Sequence, residues 1–444
     1  LSQVPENVRS DFLYGHGGFR GTKDACLWVK NLGSSRIGPW FQPAYSIMLS
    51  IPALLLGNKA IMYLTPLFVI LLGLVLSAIS RRLFRNEWAP FLTFLFFVTH
   101  PVMVWHGRCP RPEISAGVFV FAGVALILTR ISHMSGQRYG TMPDLLLGSL
   151  CFAVAPFFHV MAWFVVLAVF VVFALCVVLG RFRYLILLLI LELAAVLFAF
   201  QTRYVTDCYG FINMENLVFE HTVSVLGWNL ILLLILTLGG IYSGRSGLRI
   251  QKWLYSHIKR FSVFFRWGFG LSVSIILVLL YLKSDWSTIR LFDGLLSKFR
   301  ITEMSAYVLA ASRVLSLLGL LGLFAFLVFG RTQRLSRIIL VVVLLPGVLF
   351  VGRMPILMYL VRRMTAFGVP LHVISLTALV SMIPVKKSIK WRVAALLLSG
   401  MIVFTGMQGR LHLYTTVEHK GFYDFLDEYA KQIKKEDGML LAEY

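Results

Sequence analysis

Three short stretches of this chain gather residue types able to do chemistry, and apolar sequence bounds each of them. The first runs Gly21-Thr-Lys-Asp24-Ala-Cys-Leu-Trp-Val-Lys-Asn-Leu32, then Gly33-Ser-Ser-Arg-Ile-Gly38-Pro-Trp-Phe-Gln42-Pro43-Ala-Tyr45. The second is Trp105-His-Gly-Arg108-Cys-Pro-Arg111-Pro-Glu113, and the third is Gly352-Arg353-Met-Pro-Ile-Leu-Met-Tyr359-Leu-Val-Arg362-Arg363, continuing to Pro370. A carboxylate such as Asp24 or Glu113 can take a proton from a hydroxyl nucleophile. Guanidinium groups such as those of Arg353, Arg362 and Arg363 can grip a phosphate through paired N–H donors. Base and anion clamp together are what transfer from a phosphate-bearing donor to a hydroxyl requires.

Each stretch also has a plainer reading. Asp24 opens an expected helix, where a carboxylate commonly caps orphan backbone donors. Two Arg, a His and a Glu compressed between long apolar helices are costly unless paired or hydrated, so Glu113 with Arg108 or Arg111 would staple two helix ends. The third group of arginines would equally contact anionic lipid headgroups. His100 and His159 read as interfacial polar anchors, and Glu192 as a helix-packing contact.

The elements that must position these residues follow from composition. With 58% hydrophobic residues and a mean hydropathy of +0.81 over 444 residues, the chain has more apolar surface than a soluble domain hides from water. The expected fold class is all-α, a polytopic transmembrane helix bundle, because apolar runs near the ~20 residues that span hydrocarbon recur along the whole length. The expected spans are 61–80, 88–105, 114–130, 144–158, 160–179, 184–200, 226–242, 267–283, 306–329, 338–352, 366–384 and 393–407. That is twelve, or thirteen with a leading helix expected ahead of Leu1. Residues 1–60 form an outer segment with juxtamembrane helices, 61–407 the bundle and 408–444 a short outer tail. Residues 43–57 are apolar but short and are expected in the interface. In the tail, Phe422, Phe425, Leu426 and Tyr429 recur at helical spacing among charged residues, as on an amphipathic surface helix.

A formal charge of +22 would suggest nucleic acid in a soluble protein. Here Lys and Arg punctuate apolar runs without forming a stripe, so no nucleic-acid partner is expected and the charge sets orientation. Alternate loops hold twenty Lys and Arg, among them Arg81, Arg82, Arg85, Lys386 and Lys387, against nine in the intervening loops. The positive-inside rule makes the richer set cytoplasmic and places the three stretches outside. Seventeen of the twenty acids also fall outside, which suits an outer site for a polar substrate. The five cysteines show neither a CxxC pair nor zinc spacing, and they define no disulfide framework. No metal cluster is visible and no cofactor is demanded, although two outer acids could share a divalent cation.

In this order, the features resemble the GT-C superfamily of membrane glycosyltransferases, in particular its protein-mannosyltransferase and aminoarabinose-transferase-like branch. Asp24, Leu32, Gly33, Pro43, Tyr45 and Gly57 match the acidic first outer loop and its juxtamembrane helix. Arg108, Arg111 and Glu113 match a short second loop, and Tyr359-Leu360 with Pro370-Leu371 echo a late stretch. Ala25, Gln42 and Ala44 depart from it, standing where the branch has Glu, Lys and Pro. The resemblance implies a GT-C-like fold and transfer of a sugar from a polyprenyl-phosphate donor to a glycan, lipid or protein acceptor at the outer face of a membrane. It also implies Asp24 as general base, with Glu113 orienting acceptor or base. Arg353, Arg362 and Arg363, with Arg108 or Arg111, would neutralise the departing phosphate, and Gln42 and Tyr45 would sit on the juxtamembrane loop beside it.

Two other classes stay open. A transporter or flippase of lipid-linked sugars suits a dozen spans, although no internal repeat is seen. A polysaccharide polymerase or ligase would carry one large outer loop rich in Arg and His, whereas residues 201–225 hold only Arg203 and His221. A bacterial inner membrane is the expected location, because the tail is short and the outer loops carry no N-x-[ST] acceptor.

Overall fold

A computed structural model of the chain describes residues 27–31, 36–39, 43–57, 60–84, 86–107, 112–133, 142–159, 162–178, 183–204, 268, 313–328, 357–384 and 388–407. These residues are mostly helical, with one small hairpin, consistent with an all-α fold. The helices are α1 (Pro43–Leu56), α2 (Ile61–Leu83), α3 (Ala89–Val98), α4 (Pro101–His106), α5 (Pro112–His133), α6 (Met142–Phe158), α7 (Ala162–Val178), α8 (Arg183–Tyr204), α9 (Arg313–Val328), α10 (Leu357–Ser381) and α11 (Ile389–Met407). They cover nine of the twelve expected segments, while 226–242, 338–352, all of 267–283 except residue 268, and the tail helix lie outside the described residues. Two of the described helices, α2 and α11, are long and apolar enough to cross a membrane.

The structure corrects three local expectations. The helix expected after Asp24 is a strand: β1 (Leu27–Asn31) pairs antiparallel with β2 (Arg36–Pro39), Trp28 opposite Gly38 and Val29 opposite Ile37. Leu-Trp-Val favours a pleated surface and Gly33-Ser-Ser is turn sequence, so residues 27–31 offer Asp24 no helix to cap. The run 88–105 breaks into α3 and α4 at Thr99-His100, since Pro101 has no N–H and disfavours helical backbone at the residue before it. Finally, Arg362 and Arg363 do not stand in a loop ahead of an eleventh helix. They ride on α10 itself, which begins at Leu357.

The chain divides into two units. One comprises 1–61, 192–232 and 416–444, and so holds β1, β2, α1 and the end of α8; the other comprises 62–191 and 233–415 and holds the remaining helices. In the second unit α5 and α6 form a tight antiparallel hairpin. Gly123 makes that closeness possible, because a Cβ there would fall 2.8 Å from the Phe152 ring and 3.0 Å from the Gly148 carbonyl oxygen. Phe119 and Phe158 stack beside it, ring centres 5.0 Å apart. Helix α10 packs on α3, α4, α5 and α9. Against α9 the approach is closest at Gly319 and Gly322, where side chains would overlap the His372 ring and the Ser375 backbone.

Some polar side chains inside this unit join its elements by hydrogen bonds. Ser77 Oγ donates to the carbonyls of Gly73 and Pro90, at 2.9 and 2.8 Å, which ties α2 to α3. The Arg82 guanidinium donates to the Ala125 carbonyl and lies within electrostatic reach of Asp144. Outward, the same helices carry large apolar residues: Leu67, Leu74, Phe91, Leu147, Leu167, Leu397 and Phe404 are all exposed.

Candidate functional site

Glu113 is where the described structure and the candidate chemistry meet. Pro112 begins α5, and its fixed φ and missing N–H suit a first helical position, which sets Glu113 in the first turn. There the positive end of the helix dipole favours a carboxylate. The carboxylate is 4% exposed, and Oε1 lies 3.9 Å from Nε2 of His159, itself 6% exposed. That separation is an ion-pair distance and too long for a hydrogen bond.

His159 follows the last residue of α6, at the dipole end that favours a cation. Its backbone is held on both sides: its N–H donates to Ala155 O at 3.2 Å and its carbonyl accepts from Ala162 N–H at 3.0 Å. The two side chains therefore face each other from opposite-signed ends of neighbouring antiparallel helices. Ser115 and His106 are buried as well, one turn-length into α5 and at the end of α4.

A second polar cluster lies at the break between α3 and α4. His100 caps α4 with its side chain, Nδ1 accepting from Val102 N–H at 3.3 Å. Its Nε2 is 3.2 Å from His372 Nδ1, and His372 Nε2 is 3.0 Å from the Leu315 carbonyl oxygen. Two turns away, Thr93 and Thr377 hydroxyls meet at 3.0 Å. His100 is thus a buried joint among α4, α9 and α10, which replaces its expected role as an interfacial anchor. His159 is likewise buried beside Glu113 and is no solvent-edge anchor.

The other sequence candidates fall as follows. Asp24, Gln42, Arg108, Arg111 and Arg353 lie outside the described residues. Arg362 and Arg363 occupy the second turn of α10. Tyr45 is buried in the first turn of α1, within the other unit. Of the residues with candidate roles, Glu113 is the one whose surroundings are described in the second unit, and its neighbour there is His159, which the sequence suggests only as an interfacial anchor. The signal for His159 was present: one imidazole set between Phe157-Phe158 and Val160-Met161 in otherwise apolar sequence. Nothing in the sequence pairs His100 with His372. Among the described residues no group of three or more His, Cys, Asp or Glu could hold a metal ion.

A buried carboxylate facing an imidazole can orient a hydroxyl, hold a proton or stabilise a nearby cation. No family model, curated protein or solved structure matches this chain.

Proposed function

We propose that this protein is a polytopic membrane glycosyltransferase, moving a sugar from a polyprenyl-phosphate donor to an acceptor hydroxyl on the non-cytoplasmic face. The observation that carries it is Glu113, a buried carboxylate with an imidazole partner at the end of an apolar helix hairpin that the charge pattern assigns to the outside. Membrane insertion is supported by the exposed leucines and phenylalanines, which lipid would cover. The 17-residue helices α6 and α7 reach about 25 Å at 1.5 Å per residue, close to the hydrocarbon thickness. The resemblance described above supplies the donor class, the base Asp24 and the phosphate-binding arginines. Glu113 orients the acceptor or the base, and arginine charge neutralises the leaving phosphate in a single displacement. A glycan, lipid or protein takes the sugar, and a bacterial inner membrane is the proposed location.

One observation favours a second reading, a carrier of lipid-linked sugars. The α3–α4 break with its buried His100–His372 pair is the kind of interrupted helix and interior polar joint found in transporters. Purified protein in vesicles, supplied with a panel of radiolabelled polyprenyl-phosphate sugars and membrane extract, separates the two. Labelled product that requires the protein supports the transferase; donor crossing the bilayer without product supports the carrier and overturns the transferase.

A further inference from the structure

We propose that His159 is a positioning residue for Glu113, aiming its carboxylate from the end of the neighbouring helix. The proposal rests on the glycosyltransferase reading. A glutamate has three rotatable side-chain bonds, and orienting a hydroxyl requires one of its many rotamers to dominate. In this structure an imidazole 3.9 Å away, buried as deeply as the carboxylate, supplies the counter-group that selects one.

The scaffold is built to hold that distance. At Gly123, α5 and α6 approach so closely that no side chain fits between that position and Phe152 or the Gly148 carbonyl. The Phe119–Phe158 stack ends one residue before His159, and the backbone bonds to Ala155 and Ala162 fix its Cα from both sides. Helix dipoles then favour a negative group on α5 and a positive one after α6. A buried carboxylate–imidazole pair is a weak source of stability, because desolvation opposes its electrostatic attraction. Two well-packed apolar residues would hold these helix ends as well, so the pair answers to orientation more than to folding.

The test uses full-length protein in lipid nanodiscs and compares wild type, Glu113→Asp, His159→Gln and the double variant, with His159→Asn in reserve should His159→Gln fail to fold. Glu113→Asp retracts the carboxylate by one methylene, beyond the reach of His159. The expected result is a roughly tenfold or greater fall in kcat for His159→Gln with donor KM unchanged, and no further fall when it is added to Glu113→Asp. A merely structural histidine would instead give losses that multiply, or a KM effect. Multiplying losses, or an unchanged kcat in folded His159→Gln, overturn the positioning role and leave the transferase standing. Absence of transfer by wild type with every donor overturns both.

Discussion

The imidazoles of His100 and His372 form a directed bond. Val102 N–H occupies His100 Nδ1 as donor, so the proton of the neutral ring sits on Nε2 and points at His372 Nδ1 across 3.2 Å. His372 in turn directs its Nε2 proton to the Leu315 carbonyl at 3.0 Å. One chain of bonds therefore runs from the N-terminus of α4 through α10 to α9, and both rings carry the same tautomer.

That tautomer is measurable. In protein labelled with 15N-histidine, two imidazoles should show a protonated Nε2 and an unprotonated, hydrogen-bonded Nδ1, and both signals should be perturbed by either His100→Asn or His372→Asn. Independent responses of the two rings would refute the chain.

Removing a link should cost stability. His372→Leu deletes the ring that bonds both His100 and the Leu315 carbonyl, at about 1–3 kcal/mol for buried groups that lose partners. Thr377→Val, which removes the bond to Thr93, should cost about 1 kcal/mol. Thermal unfolding in detergent reads both, and equal stability of His372→Leu and wild type would count against the joint.

The glycines give a graded series. Gly322→Ala meets the Ser375 backbone, which cannot yield cheaply, and should destabilise by about 1–3 kcal/mol. Gly400→Ala on α11 has nothing within 4 Å and should be neutral, or more stable by up to about 1 kcal/mol through helix propensity. Unfolding midpoints in the reverse order would contradict the α9–α10 packing.

Orientation can be checked by cysteine labelling in a cysteine-free background. Gly107→Cys, beside the Glu113 loop, should react with a membrane-impermeant maleimide in intact cells, whereas Ser388→Cys, among Lys386, Lys387 and Lys390, should react only after permeabilisation. Labelling of both from the same side would invert or abolish the proposed topology.

How much could be read beforehand depended on whether the signal was local. Long apolar runs marked nine of the twelve expected segments where the described residues are helical, since each is a property of consecutive residues. The break at His100-Pro101 was equally local, but continuous hydropathy across 88–105 masked it. The β1–β2 hairpin was lost to the opposite error, a carboxylate taken as a helix cap where Leu27-Trp28-Val29 and the Gly33 turn carried the stronger preference. Glu113 was legible because a costly charge at a helix end stands out in one stretch of sequence. The His100–His372 pair was not, because its members lie 272 residues apart and only packing of α10 against α4 brings them together. His159 fell between these cases, visible as an isolated imidazole but without a partner until α5 and α6 were folded together.

The most direct test of the central claim is transfer of radiolabelled sugar from polyprenyl-phosphate donors by purified, folded wild type beside Asp24→Asn and Glu113→Gln. The account predicts protein-dependent product from wild type and a loss of about 100-fold or more in each variant, the scale of a lost acid–base or orienting group. Full transfer activity in both folded variants would contradict it.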